Sequence, residues 1–251
     1  EIAERERVQK TLEVAKQTIA QSSKLAALGQ MSAAVSHELN QPLAAMKTYL
    51  AGARLLLGRN RPDEALVSFH RIDDLLERMG AITRQLKSYA RKGGDSLVPV
   101  NLNSAIGAVL SMMELQLKQE AVHIIRRAPE TPIWVLGDRV RIEQVLVNLL
   151  RNAIDATQGV VDPEIEIRLA GGEHATLTVR DNGYGVDDLD ALFEPFYTTK
   201  QPGEGVGLGL AISSGIVTDL GGRLLVRNVE DGGALFEMQL PILADHIAAA
   251  E

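Results

Sequence analysis

Apolar residues recur at alternating steps of three and four along the first part of the chain: Leu25, Leu28, Val35, Leu39, Leu43, Met46, Leu50, Ala53 and Leu57, with Ser32 in step among them. This spacing keeps one stripe on one side of a 3.6-residue turn and predicts a single long helix. Val8, Leu12, Ala15 and Ile19 carry similar spacing upstream, among Glu, Arg, Lys and Gln, as a coiled-coil signalling helix over 1–23 would. The stretch "GRNRPDEA" predicts a stop and a restart. Gly58 closes one helix, Pro62 suits the first turn of the next, and Asp63 and Glu64 favour its positive end. A second seam follows, Ala65, Phe69, Ile72, Leu76, Met79, Ile82, Leu86 and Ala90, and "RKGGDS" at 91–96 closes it. A lone hairpin cannot bury two seams of this length. Residues 24–94 are therefore expected to pair with a second copy, forming a four-helix bundle in a homodimer.

Beyond that linker the period changes. Strands are predicted near 121–127, 133–136, 164–169, 175–181, 223–229 and 234–240, with helices near 103–119, 138–157 and 207–220. Adjoining strands read as hairpins. The expected fold class is α+β: the dimeric helical hairpin, then an α/β sandwich over 99–243 with helices on one face of a mixed sheet, then a tail at 244–251.

A hydrophobic content of 45% over 251 residues is enough for packed domains and excludes a disordered chain. The absence of cysteine removes disulfides and thiolate metal sites, and the histidines at 37, 70, 123, 174 and 246 lack ligand spacing. No apolar run approaches the roughly 20 residues of a membrane-spanning helix, and "EIAERERVQK" is not a signal peptide. The chain starts with Glu, so an upstream part bearing membrane segments is expected. The net charge of -7 divides unevenly, +4 over 1–98 and -11 over 99–251. An acidic second half argues against a nucleic-acid partner.

Candidate chemistry begins in "AVSHELNQPLAAM", 34–46. His37 lies about 200° around the helix from Val35 and is expected to point outward. At an ordinary pKa of about 6.5 its imidazole is mostly neutral at pH 7, with a lone pair free to act as a nucleophile. Pro42 has no N–H for the carbonyl of Glu38, so the helix is expected to bend there. Taken alone, the stretch favours a surface histidine beside an incidental kink.

Four further stretches shift that balance. "NLLRNAIDA", 148–156, puts Asn148 and Asn152 on one helical face, where amide oxygens suit a hydrated magnesium ion. "DNGYG", 181–185, places Asp181 at a strand end, able to accept a base's exocyclic amine, beside Gly183 and Gly185; a plain Asx turn is the alternative. "FEPFYTTK", 193–200, supplies Thr198, Thr199 and Lys200 as an anchor for a mobile lid. "GEGVGLGLAIS", 203–213, sets Gly203, Gly205, Gly207 and Gly209 before an apolar helix, a phosphate cradle of free N–H groups. It lacks both the G-K-[ST] of a Walker loop and G-x-G-x-x-G spacing. Each stretch is weak singly, and the set in this order is strong.

In that order the motifs resemble the histidine, asparagine, glycine and phenylalanine boxes of bacterial two-component sensor histidine kinases, from about residue 22 to 243. "KLAALGQMSAAVSHELNQPLAAM" is most similar to the dicarboxylate-sensing, DctB-like branch. The resemblance implies a Bergerat-type ATP-binding domain and autophosphorylation of His37 from Mg2+ and ATP, with Glu38 polarising or deprotonating the imidazole. The acceptor is then an aspartate on the receiver domain of a separate response regulator. It implies ATP contacts from Asn148, Asn152, Asp181, Gly183, Gly185, Thr199, Lys200, Gly203, Gly205, Gly207, Leu208 and Gly209, with Asn152 the magnesium ligand. It also implies that the chain is the cytoplasmic portion of a bacterial inner-membrane sensor.

Gyrase-type relatives of the same nucleotide fold carry a glutamate four residues before the metal-binding asparagine to activate water. Here that position is Asn148, an amide that cannot act as a general base. A non-catalytic dimeric nucleotide-binding scaffold is the other alternative, and the intact His37 and Glu38 speak against it. Gln41 stands where many family members have Thr or Asn, and a glutamine amide can also orient water, which leaves regulator phosphatase activity open.

Overall fold

A computed structural model of the chain describes residue 4 and residues 32–90, 97–195, 197–200 and 207–243. They fall in two compact units, Glu1–Lys92 with Thr198–Leu208, and Gly93–Tyr197 with Gly209–Glu251. No described helix is long and apolar enough to cross a membrane.

The first unit is built on helices α1 (Ser32–Gly58) and α2 (Pro62–Ala90), which pack on each other. α1 continues through Pro42 without interruption. Proline removes one donor and crowds one carbonyl, and more than two turns of helix on either side carry the ladder past it. α1 ends at Gly58, as the sequence predicts, and Asn60, with φ +58°, turns the chain towards α2. Asparagine is one of the few side chains that tolerate the left-handed region. Of the expected seam, Ala53, Ala65 and Ile82 are buried, while Leu43, Leu50, Leu57, Phe69 and Leu76 remain 39–53% exposed in the single chain. Two of these three buried seam residues are alanines, and the five large ones stay at the surface of the single chain. Of the expected coiled coil over 1–23 only residue 4 is described, and Leu25, Leu28, the linker at 91–96 and the tail at 244–251 lie outside the described residues.

In the second unit, β1 (Val98–Asn101) leads into α3 (Leu102–Gln119), followed by β2 (His123–Arg127), β3 (Trp134–Gly137), α4 (Arg139–Ala156), β4 (Glu164–Ala170) and β5 (His174–Asp181). A 3-10 turn at Ala191–Phe193, α5 (Gly209–Asp219), β6 (Arg223–Asn228) and β7 (Ala234–Pro241) complete it. Five strands form one sheet in the order β2-β4-β5-β7-β6, with β2 and β4 parallel and the other neighbours antiparallel. Alternate residues of β4, β5 and β7 are buried, among them Ile165, Ile167, Leu177, Val179, Phe236 and Met238. The residues between them include Glu166, Arg168, Thr178 and Glu237, so one face is apolar and the other is wet. The helices cover the apolar face. α4 touches β5 and lies between α3 and α5, with Ile142, Val145, Leu149 and Ala153 fully buried. Asp138 caps its start, Oδ1 accepting the N–H groups of Val140 at 2.9 Å and Arg141 at 3.3 Å.

β2 and β3, adjoining in sequence, were candidates for a hairpin and do not pair. β3 lies antiparallel to β1, a strand the sequence pattern did not predict. The connection between β2 and β3 contains Pro129 and Pro132, and Asn103 holds it, donating Nδ2–H to the Pro129 carbonyl at 2.8 Å and accepting Ile133 N–H at 3.1 Å. That side chain near the start of α3 draws β3 beside β1, away from β2.

Candidate functional site

Three residues along one face of α4, Asn148, Asn152 and Ala156, organise the site. They follow one another at intervals of four, about 6 Å of rise each. At one end, Asn148 Nδ2 donates to the Gly209 carbonyl and to Ser213 Oγ, both at 3.2 Å, and Ser213 Oγ donates to the same carbonyl at 2.9 Å. This ties the first turn of α5 to α4. α5 opens on Gly209 with its early N–H groups unused by its own ladder, as any helix start does.

At the other end, Ala156 meets the "DNGYG" loop. The Ala156 carbonyl accepts the N–H of Tyr184 at 3.4 Å. Gly183 passes so close to the same carbonyl that a Cβ there would stand 2.3 Å from its oxygen, which explains glycine at 183 by close approach of two backbones. Asn152, half-buried, sits between these ends. A face that touches α5 at one end and the loop at the other thus carries an amide in the middle.

Asp181 is the last residue of β5 and 2% exposed. Its Oδ1 accepts Gly183 N–H at 2.9 Å and Ala234 N–H at 3.2 Å. Burial raises its pKa above the ordinary 3.8, and the two backbone donors pull against that without cancelling it. Asn182 pins the loop to the start of β4, accepting Glu164 N–H at 2.9 Å and donating to the Asp162 carbonyl at 3.0 Å. The Tyr184 hydroxyl is pushed above its ordinary pKa by partial desolvation, then by the carboxylates of Asp155, Asp181 and Asp187. That side of the site is acidic. Asp188 caps the turn that follows, Oδ1 accepting the N–H groups of Asp190 and Ala191 at 3.1 and 3.0 Å.

Of the residues singled out by sequence, Asn148, Asn152, Asp181, Gly183, Gly185 and Gly209 therefore belong to one unit and are linked through α4. Thr199, Lys200, Gly207 and Leu208 count with the first unit, where Lys200 N–H donates to Thr198 Oγ1 at 3.2 Å and Gly207 has φ +66°. Gly203 and Gly205 lie outside the described residues. His37 and Glu38 are adjacent on α1, and Gln41, half-buried, follows His37 by one turn. The side chains of His37 and Glu38, and so the outward direction expected of the histidine, lie outside the described residues. Ala234 and Asn228, which hold the loop from β6 and β7, were not found by sequence reading. An alanine and a strand-end asparagine have no spacing signal of their own.

Two family profiles match the two parts of the chain in turn. The profile of the "His Kinase A (phospho-acceptor) domain" matches residues 27–95, and that of the "Histidine kinase-, DNA gyrase B-, and HSP90-like ATPase" matches 137–244. The C4-dicarboxylate transport sensor protein DctB of Pseudomonas aeruginosa is 42% identical over 244 residues, covering 96% of this chain and 40% of that protein. The protein of the same name from Rhizobium meliloti is 38% identical over 237 residues, covering 92% and 38%. The chain spans about 40% of the length of these curated relatives. Among solved structures, the nucleotide-free catalytic domain of histidine kinase ThkA aligns with a TM-score of 0.53 at 30% identity, over 59% of this chain and 98% of that one.

Proposed function

Because the chain belongs to the histidine kinases, with a phospho-acceptor domain and an ATP-binding domain in one polypeptide, we propose that it phosphorylates itself on His37 from Mg2+ and ATP. The phosphoryl group then passes to an aspartate on the receiver domain of a separate response regulator. The observation that carries this reading is the α4 face, with Asn152 set between the start of α5 and the Asp181 loop, in a chain whose helical hairpin bears His37 and Glu38.

In this reading Asp181 accepts the adenine amine, the N–H groups at the start of α5 face the phosphates, and Asn152 offers its amide oxygen to magnesium. A hard oxygen-seeking cation suits that donor, and when bound it offsets the repulsion between a triphosphate and the acidic surroundings of Tyr184. A His37 nitrogen attacks the γ-phosphorus; the bond to the bridging oxygen breaks and ADP leaves with the electron pair. Glu38 takes or polarises the imidazole proton. Asn148 occupies the position of a hydrolytic base, and its amide nitrogen is engaged in holding α5, which favours transfer to a side chain over transfer to water. Gln41 is the residue able to orient water for removing phosphate from the regulator.

The exposed Leu43, Leu50, Leu57 and Leu76 support a second copy on the hairpin, giving a homodimeric four-helix bundle. The domain boundaries that go with this reading are 24–94 and 99–243, in the cytoplasmic portion of a bacterial inner-membrane sensor.

Incubation with γ-labelled ATP tests the assignment. The expected product carries acid-labile, alkali-stable label, at most one per chain, and His37→Gln loses it while still binding ATP. Undiminished label in His37→Gln moves the phosphosite elsewhere, and continuous phosphate release without label on the chain points to a gyrase-type ATPase.

A further inference from the structure

The loop that carries Gly183 and Gly185 is also held from β6, a strand with no residue in any of the sequence motifs. Asn228, the last residue of β6, donates Nδ2–H to the Val186 carbonyl and accepts Val186 N–H on Oδ1, both at 2.8 Å. One carboxamide thus satisfies both backbone groups of one residue, a pairing that a neighbouring strand would otherwise supply. Gly185, immediately before, has φ +78°, and a Cβ there would stand 2.9 Å from Asn228 Oδ1. The chain turns left-handed beneath the carboxamide at a position where a side chain would collide with it.

Asn228 faces Ala234 across the β6–β7 ladder, and Ala234 N–H is the donor to Asp181 Oδ1. A single rung therefore holds both ends of the "DNGYG" box: Asp181 through Ala234, and Gly185–Val186 through Asn228. We propose that Asn228 is a positioning residue of the nucleotide site, fixing the distance between the Asp181 carboxyl and the backbone at Gly185 so that the loop is shaped before ATP arrives. This rests on the reading of Asp181 and its loop as the nucleotide-binding element. Ordering a loop on binding weakens binding, so a loop ordered in advance binds tighter with no new contact to the ligand.

The test uses the 251-residue chain and its variants Asn228→Ala and Asn228→Asp, with Arg227→Ala, exposed on the same strand, as control. Binding of a non-hydrolysable ATP analogue is measured by calorimetry, autophosphorylation is measured against ATP concentration, and amide hydrogen exchange is followed at residues 185 and 186. With two partly exposed hydrogen bonds lost, Asn228→Ala is expected to bind about tenfold more weakly. KM for ATP should rise in parallel and kcat stay within about twofold, since the lost hydrogen bonds act on loop order and not on the reacting atoms. Exchange at 185 and 186 should accelerate without nucleotide and slow again at saturation. Asn228→Asp keeps the acceptor for Val186 N–H and loses the donor, and should fall between wild type and Asn228→Ala. It carries the test if the alanine variant fails to fold.

If Asn228→Ala binds as wild type while Asp181→Asn binds more weakly, the positioning role is wrong and the nucleotide site stands. If neither variant weakens binding, the nucleotide site itself is wrong. A lower melting temperature with unchanged exchange at 185 and 186 and an unchanged KM makes Asn228 merely structural, and overturns the proposal.

Discussion

Gly183→Ala is the sharpest test of how the loop and α4 meet. On the present backbone the added Cβ would stand 2.3 Å from the Ala156 oxygen, 2.6 Å from its carbonyl carbon and 2.9 Å from its Cβ. All three atoms belong to α4, whose Leu149, Leu150, Ala153 and Ile154 are at most 1% exposed, so the helix cannot retreat. The loop must instead move by about 1 Å to regain ordinary contact. That shift strains the bond from Gly183 N–H to Asp181 Oδ1 and the one from Tyr184 N–H to the Ala156 carbonyl. Two hydrogen bonds at about 1 kcal/mol each, with about 1 kcal/mol of residual overpacking, come to about 3 kcal/mol. At about 2–4 °C per kcal/mol for a chain of this size, the melting temperature of the α/β unit should fall by about 6–12 °C. Gly209→Ala is the matched control from the other glycine box. The nearest atoms outside its own helix that its Cβ would meet are those of the Asn148 side chain, at 3.8–3.9 Å and so in ordinary contact, and alanine favours a helix, so its melting temperature should stay within about 2 °C of wild type. Calorimetric melting without nucleotide reads both, and titration with a fluorescent ATP analogue should show Gly183→Ala binding far more weakly. A Gly183→Ala chain that melts within about 2 °C of wild type, or a Gly209→Ala chain that loses as much, refutes the close-approach argument.

Other perturbations separate binding from folding. Asp181→Asn keeps an oxygen for the Gly183 and Ala234 donors and removes a buried charge. Burial holds the folded pKa above 3.8, so the charged form costs stability above the folded pKa, and that cost fades as pH falls through it towards 3.8. The variant should therefore melt no lower than wild type at neutral pH, any advantage shrinking on acidification, while ATP affinity drops about tenfold. Melting curves across pH and calorimetry check both signs, and a variant that is less stable at neutral pH contradicts the burial argument. Asn152→Ala should raise the magnesium needed for half-maximal autophosphorylation by about 10- to 100-fold, read by magnesium titration at fixed ATP; an unchanged midpoint removes Asn152 from the metal site. Arg141 Nη2 meets Asp219 Oδ2 at 2.6 Å, with side chains 24% and 30% exposed, linking the start of α4 to the end of α5. Arg141→Ala should cost about 1 kcal/mol, and in a double-mutant cycle with Asp219→Asn the two losses should be less than additive.

The helices, most of the strands and the residue types of the site were legible along the chain because their causes are local. A period of 3.6 or 2, a glycine or proline at an element end, and an asparagine pair four apart are properties of neighbouring residues, and the boundaries of α3, α4, β4 and β7 fall within a residue or two of those the pattern predicts. Spacing placed Leu43, Leu50, Leu57 and Leu76 on the seams but could not say that they would stay exposed in the single chain while Ala53 and Ala65 are buried. Strand partners were another matter. β2 and β3 are neighbours in sequence, yet Asn103 holds the proline-bearing connection between them and β3 joins β1, a choice made by a side chain near the start of α3. The same holds inside the site. Spacing could put Asn148 and Asn152 on one face, but it could not say that Asn148 spends its amide nitrogen on Gly209 and Ser213, more than 60 residues away. Nor could it single out Asn228 and Ala234, ordinary residues until the β6–β7 ladder sets them opposite each other against the two ends of one loop. Local pattern determines which backbone forms; the hydrogen bonds that shape the 181–186 loop join residues distant in sequence, and only the packed sheet brings those within 2.8–3.2 Å of one another.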